Sequence, residues 1–211
     1  PLWEGIRHCN VLIENIYNVV DMTEAEMNEW AAEAKFLKAY YHFLLFTYYG
    51  PIPIVDENLP ISASDTEVRV KRSTVDESVD YIVETIDEAL IHLPSRVLSS
   101  NDLGRIDQVI AKAIKSRVLT YAASPLFNGN SEMYSGFVNE DGEHFFNQSY
   151  DQTKWDRARE ASIEAINASI ENGIILYEFT STPPNYEDEY EEEEFIQTLD
   201  NLKYSIVDKW N

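Results

Sequence analysis

The 211 residues hold 38 acidic against 16 basic side chains, a formal charge of -22 at neutral pH, and 44% of them are hydrophobic. That length and composition suit one folded domain with a sizeable core. The charge excludes nucleic acid and anionic lipid surfaces as partners, because both are held through Lys and Arg, and leaves neutral ligands, cations and basic protein surfaces. The single Cys9 cannot form an internal disulfide and reads as a small apolar residue of the first helix. No apolar run approaches the ~18 to 20 residues of a membrane-crossing helix. With neither an initiator Met nor a signal peptide, the chain reads as a soluble piece of a longer protein, processed or cut.

In chain order, Trp3 to Val20 has the period of a helix, with Trp3, Ile6, Asn10, Ile13 and Tyr17 on one face. Thr23, followed three residues later by Glu26, is a capping box that opens the next helix and runs without a break into EAKFLKAYYHFLLFTYYG, Glu33 to Gly50. On this helix Ala34, Leu37, Tyr41, Leu44 and Tyr48 form one apolar face, and Phe36, Ala39, Tyr40, Phe43 and Phe46 form another. Only Lys35, Lys38 and His42 mark a polar stripe, so the spacing predicts a core helix sandwiched between neighbours. Gly50 stands where a left-handed C-terminal cap is wanted, and Pro51 and Pro53 cannot continue the helix. Residues 50 to 73 lack a helical period and read as an extended surface crossover.

Ser73 or Thr74, with Asp76 and Glu77 behind it, starts a third helix with an apolar stripe of Val79, Ile82, Val83, Ile86, Leu90 and Leu93, ended by Pro94. Val109 to Ala123 is the fourth, with Ala111, Ile114, Val118 and Tyr121 inward and small Ala113, Ala122 and Ala123 allowing close approach of a neighbour. A helix from about Thr153 to Glu171 begins a third pair through Trp155, Ala158, Ala161, Ile166 and Ile170 and closes at Asn172 and Gly173. Between them the loop Asn128 to Gln152 mixes Gly, Asn and Ser with five aromatic rings, and NEDG at Asn139 to Gly142 is a turn that could join two short strands. From Tyr177 onward no helical period persists, and Tyr186 to Glu194 holds seven acids and two tyrosines, a run that resists burial. The fold class is thus mainly all-α with long irregular loops, a single domain over 1–211 whose residues 178–211 form a less regular acidic segment.

Signatures of catalysis are missing from the sequence. His8, His42, His92 and His144 lie on separate elements without a second ligand at zinc spacing, and no GxSxG, GxGxxG or P-loop pattern occurs. Glu187 to Glu194 offers oxygen ligands but lacks the spacing and turn glycine of a calcium loop. Neither a metal nor a cofactor is expected.

The central helix followed by PIPI resembles the core helix of the SusD/RagB family, the surface glycan-binding lipoproteins of Bacteroidetes. IRHCN at Ile6 to Asn10, ETIDEALIHLP at Glu84 to Pro94, GRIDQVIAKAIKSRVLTYAASPLFNG at Gly104 to Gly129 and KWDRAREASIEAI at Lys154 to Ile166 are similar to further family motifs in the same order. The match covers most of residues 3 to 177. It implies tetratricopeptide-like helical hairpins, although the sequence shows no clean period of about 34 residues. It further implies non-catalytic capture of an extracellular oligosaccharide or polysaccharide, delivery to a SusC-like TonB-dependent transporter, and an outer-membrane position facing outward, held only by a lipid anchor absent from this chain. Family members are longer at both ends, so the resemblance makes this chain a fragment.

Sugars are recognised by aromatic faces set against the ring and by amides and carboxylates bonding the hydroxyls. That chemistry selects Asn128, Asn130, Tyr134, Phe137, Asn147 and Tyr150 in the long loop, together with Trp3. The alternatives are a helical-repeat scaffold that binds only protein and a glycan-active hydrolase.

Overall fold

The computed structural model describes residues 1–174 and 176. Helix α1 spans Leu2–Asn15 and ends in a short 3-10 turn at Ile16–Asn18; α2 spans Glu24–Tyr49, α3 Val75–Leu90, α4 Gln108–Ala123, α5 Ser131–Tyr134 and α6 Gln152–Glu171. The five longer helices pack as an array in which each contacts its chain neighbour, α1 on α2, α2 on α3, α3 on α4 and α4 on α6. Among the described residues, β-structure amounts to two isolated bridges.

The helix starts follow from local chemistry. Thr23 and Thr74 each accept from the backbone N–H three residues on, while Glu26 and Glu77 reach back to the threonine N–H, giving two capping boxes. Asp107 caps α4 and Asp151 caps α6. Helix α2 ends at Gly50 with φ +69° and ψ -125°. This is not the left-handed helical cap expected from the sequence, but it lies at the positive φ that glycine tolerates best.

The core surrounds α2. Ala32, Phe36, Ala39, Phe43, Leu45 and Phe46 join Ile6 of α1, Val75, Val79, Ile82 and Ile86 of α3, and Ala111, Val118 and Leu119 of α4 in one apolar cluster. Three parts of the helical-wheel reading are corrected. Lys38 (6% exposed) and His42 (0%) are buried and not on a polar stripe, because Asp56 and Val55 supply their partners. Leu44 is only half-buried, and Tyr48 is exposed. On α4, Ala113 faces solvent while Ala122 and Ala123 are buried.

Helices α4 and α6 share the most extensive interface, made close by small buried residues on both sides, Ala111, Ala122 and Ala123 on α4 and Ala158, Ala161 and Ala168 on α6, and by a 2.8 Å hydroxyl pair between Ser116 and Ser162. Small side chains allow that approach, which is why Trp155, Ile166 and Ile170 point away from α4 and stand exposed instead of packing inward with the alanines. The expected acidic segment 178–211 and the Glu187 to Glu194 run lie outside the described residues.

Phe46 is fully buried, and its ring meets Tyr121 and Phe127 at 5.7 and 5.0 Å. Phe46→Ala should cost about 3 to 5 kcal/mol by cavity formation. Tyr48→Ala, two residues away and 72% exposed, should stay within about 0.5 kcal/mol of the parent. Urea unfolding of the two variants measures both; similar losses would contradict this orientation of α2.

Candidate ligand-binding site

The loop between α4 and α6 is held to the bundle end by stacked rings. Phe127 leans on Phe46; Phe146 stacks on Phe127 at 6.0 Å; Tyr134 stacks on the other side of the site at 3.8 Å from Phe146, with planes 7° apart. Phe137 sits edge-on to Phe146 at 5.9 Å and near Phe145 at 5.7 Å. The rings differ in exposure: Tyr150, at the loop base, is 62% and Phe137 47% exposed, Tyr134 is half-buried, and Phe146 is buried. The NEDG turn forms around Asn139, whose side-chain oxygen accepts from the N–H groups of Asp141 and Glu143. Its flanks make only a single antiparallel bridge, Val138 with His144, in place of two strands.

The three asparagines named from sequence are engaged in folding the loop. Asn128, buried, donates to the Asp151 carbonyl at 2.9 Å and accepts from the Asp151 N–H at 2.8 Å, closing the whole loop across its base. Asn130 caps α5 by accepting from Met133 N–H, and Asn147 accepts from Ser149 N–H. Gly129 takes φ +83°, and a Cβ there would lie 2.5 Å from the Tyr150 backbone nitrogen, so the loop closes only over glycine. The ring faces of Phe137 and Tyr150 are what this loop offers to a ligand. Trp3 is 42% exposed and lies elsewhere, edge-on to His42 at 6.3 Å.

That contact leads to a polar knot which sequence reasoning missed. Lys38 of α2 donates to Asp56 Oδ1 at 2.8 Å and to the Asp56 carbonyl at 3.0 Å, and Tyr81 of α3 donates to the same Oδ1 at 2.9 Å. One turn along, His42 Nδ1–H donates to the Lys38 carbonyl at 2.8 Å while Nε2 accepts from the Val55 N–H at 3.2 Å. Only a neutral imidazole can make both bonds. Burial accordingly pulls His42 down to about 4 from its ordinary 6.5. Lys38 holds the Asp56 carboxyl below its usual range, and burial followed by the bond to Asp56 pushes the Tyr81 phenol up. The sequence signal available was a Lys and a His four residues apart inside an otherwise apolar helix. Burial also raises the Cys9 thiol, as befits a packing residue.

The other histidines, His8, His92 and His144, are exposed, and among the described residues no three His, Cys, Asp or Glu side chains converge as metal ligands. No helix among them is long and apolar enough to cross a membrane.

An array of paired helices carrying a ring-bearing loop at one end is an all-α fold of the SusD-like kind. The chain belongs to the SusD-like family, whose model, described as starch-binding and associating with the outer membrane, matches residues 2–120. Among solved structures, BT4246 is 31% identical over 91% of this chain with a TM-score of 0.76, and the chain spans 35% of that protein's length. A laminarin-binding SusD-like protein is 28% identical over 58% of this chain and 25% of its own, with a TM-score of 0.52. A SusD-like protein from Bacteroides fragilis NCTC 9343, 22% identical over 79% of this chain and 27% of its own at TM-score 0.58, shares the fold. No curated protein matches the sequence.

Two predictions follow from this geometry. Above pH 6.5 both folded and unfolded His42 are neutral; as pH falls toward 4 the unfolded chain takes up a proton that the folded one refuses, so stability falls. At about 1.4 kcal/mol per pH unit the loss reaches about 3 kcal/mol. Urea melts from pH 7.5 to 4 should show it, and the stability difference between parent and His42→Gln should shrink by that amount over the same window. A constant difference would mean that His42 takes up its proton as readily in the fold as in the unfolded chain. Asn128→Ala, which strands the N–H and carbonyl of Asp151, should cost about 1 to 3 kcal/mol by the same assay.

Proposed function

We propose that this chain is the helical part of a non-catalytic protein that captures an extracellular glycan at the outer membrane and passes it to a SusC-like TonB-dependent transporter. Phe137 and Tyr150 carry the reading: two ring faces left open on a loop whose remaining aromatics are used to fix it to the core. Such rings suit the apolar face of a pyranose, and neighbouring Asn, Gln and Ser groups suit its hydroxyls. Membership in a family described as starch-binding, and likeness to a laminarin-binding relative, support a neutral polysaccharide as ligand. Family membership also supports an outer-membrane position, and no arrangement of nucleophile and base occurs among the described side chains that the loop brings together. Tyr134, Asn128, Asn130 and Asn147 serve by shaping the loop, and Trp3 is a separate exposed ring.

The test is affinity electrophoresis against laminarin, starch and xyloglucan, followed by calorimetry with oligosaccharides of whichever is retained. Phe137→Ala combined with Tyr150→Ala should weaken binding tenfold or more, at about 1 kcal/mol per ring, with a melting temperature no lower than that of Phe137→Ala alone, whose ring also meets Phe145 and Phe146. Tyr134→Ala should lower the melting temperature as well, because it removes the ring stacked on Phe146. Added salt should change saccharide affinity little, since a neutral ligand carries no charge to screen. Unchanged affinity in the double variant would place the site away from this loop; cleavage of the oligosaccharide would make the protein an enzyme.

A further inference from the structure

A cavity of about 430 Å³ opens between α1, α2, the crossover and α3, with Asn10, Glu14, Lys38, Asp56, Glu57 and Glu84 in its lining. Its size falls within the ~300 to 1,000 Å³ usual for small-ligand sites. The polar groups around it are unevenly matched. Lys38 pairs with Asp56 at 2.8 Å and Lys35 with Glu88 at 2.6 Å, so both cations are committed. Glu14 accepts only from the neutral Asn58 N–H and side-chain amide. Glu57 and Glu84 have no ion-pair partner among the described residues, so three carboxylates lack a cation. The second observation is Asn10. It is 2% exposed, yet neither its side-chain oxygen nor its nitrogen has a hydrogen-bond partner. A buried amide left so is destabilising unless something from outside completes it.

We infer that this cavity binds a guanidinium group, the side chain of an arginine presented by a partner or a free guanidinium compound. The charge calls for a cation, since the lining carries five carboxylates against two ammoniums. A compact metal ion does not fit, because no three carboxylates among the described residues converge on one point. A planar cation with five spread N–H donors does fit: it bonds separated carboxylates and still spares a donor for the Asn10 carbonyl oxygen. An ammonium ion offers three donors from a single point and reaches fewer of them. The binding is distinct from glycan capture at the α4–α6 loop and stands whether or not that reading holds.

Calorimetry of the full chain with butylguanidinium as probe, against its neutral isostere butylurea, tests the inference. Butylguanidinium should bind at least tenfold more tightly than butylurea and lose most of its affinity between 0.05 and about 0.5 M NaCl, where the screening length shrinks from over 10 Å to under 5 Å. Glu57→Gln combined with Glu84→Gln, both exposed and outside the core, should lower butylguanidinium affinity tenfold or more with no change in melting temperature or saccharide binding. Butylammonium, of equal charge, should bind more weakly than butylguanidinium. Equal affinity for butylguanidinium and butylurea or butylammonium, or an unchanged affinity in the double variant, would overturn the inference and leave the cavity to water.

Discussion

The structure turns on the burial of a charged and a titratable side chain in the middle of its central helix. A helix with apolar residues on two faces must be covered on both, and in α2 that covering also encloses Lys38 and His42. An unpaired ammonium taken out of water costs several kcal/mol, so the fold is possible only because the crossover brings Asp56 to Lys38 and the Val55 N–H to His42. The pair is not fully desolvated, since the Asp56 side chain stays largely in water. This lowers the cost of ionising it while keeping the geometry that fixes the crossover. Tyr81 adds a third point, so that α2, α3 and the crossover are pinned at one carboxylate oxygen.

A different device fixes the other end of the bundle. The α4–α6 loop has almost no regular hydrogen-bond ladder, and its order comes from a relay of rings running outward from Phe46 through Phe127 and Phe146 to Tyr134 and Phe137. Each pair adds roughly 0.5 to 1.5 kcal/mol beyond its burial. Several such pairs exceed what a single bridge at Val138 and His144 supplies. A loop held in this way, with the rings of Phe137 and Tyr150 left exposed, is suited to binding, because little ordering entropy remains to be lost when a ligand arrives.

The helices were legible because their signals are local. Thr23 with Glu26 and Thr74 with Glu77 are read within four residues, and the apolar stripe of α3 needs no knowledge of its neighbours. Family membership was legible for the same reason: its motifs are helix-packing patterns in a fixed order. What could not be read was long-range. A helical wheel sends Lys38 and His42 to solvent, since their partners lie 18, 13 and more residues away. It sends Ile166 and Ile170 inward, since it cannot tell that the close approach of α4 is made by Ala158, Ala161 and Ala168. The loop asparagines looked like ligand groups, yet Asn readily bonds nearby backbone, and in Asn128, Asn130, Asn139 and Asn147 that local chemistry prevailed. The aromatic character of the loop was visible; which rings face outward was decided by their stacking order on Phe146.

The two fixed regions are joined through the crossover. Its first residues, Pro51 and Ile52, are buried beside the ring relay, where a Cβ on Gly50 would lie 3.5 Å from Phe146, and only three residues later Val55 and Asp56 enter the polar knot. Its far end returns to the same place: Ser73 N–H donates to the Ile52 carbonyl, and Val75 N–H, at the start of α3, donates to the Phe145 carbonyl in the ring-bearing loop. A short run of backbone therefore touches the knot on one side and the base of the loop on the other. Loosening the knot would free Val55 and Asp56, and the nearest ordered structure to feel it is Ile52 and, through it, the seat of Phe145 and Phe146. The sequence PIPIVD thus does more than stop a helix. With Pro51 and Pro53 restricting the chain entropy of the segment, it holds the aromatic loop to the core at a fixed distance from the one buried charge of α2, Lys38.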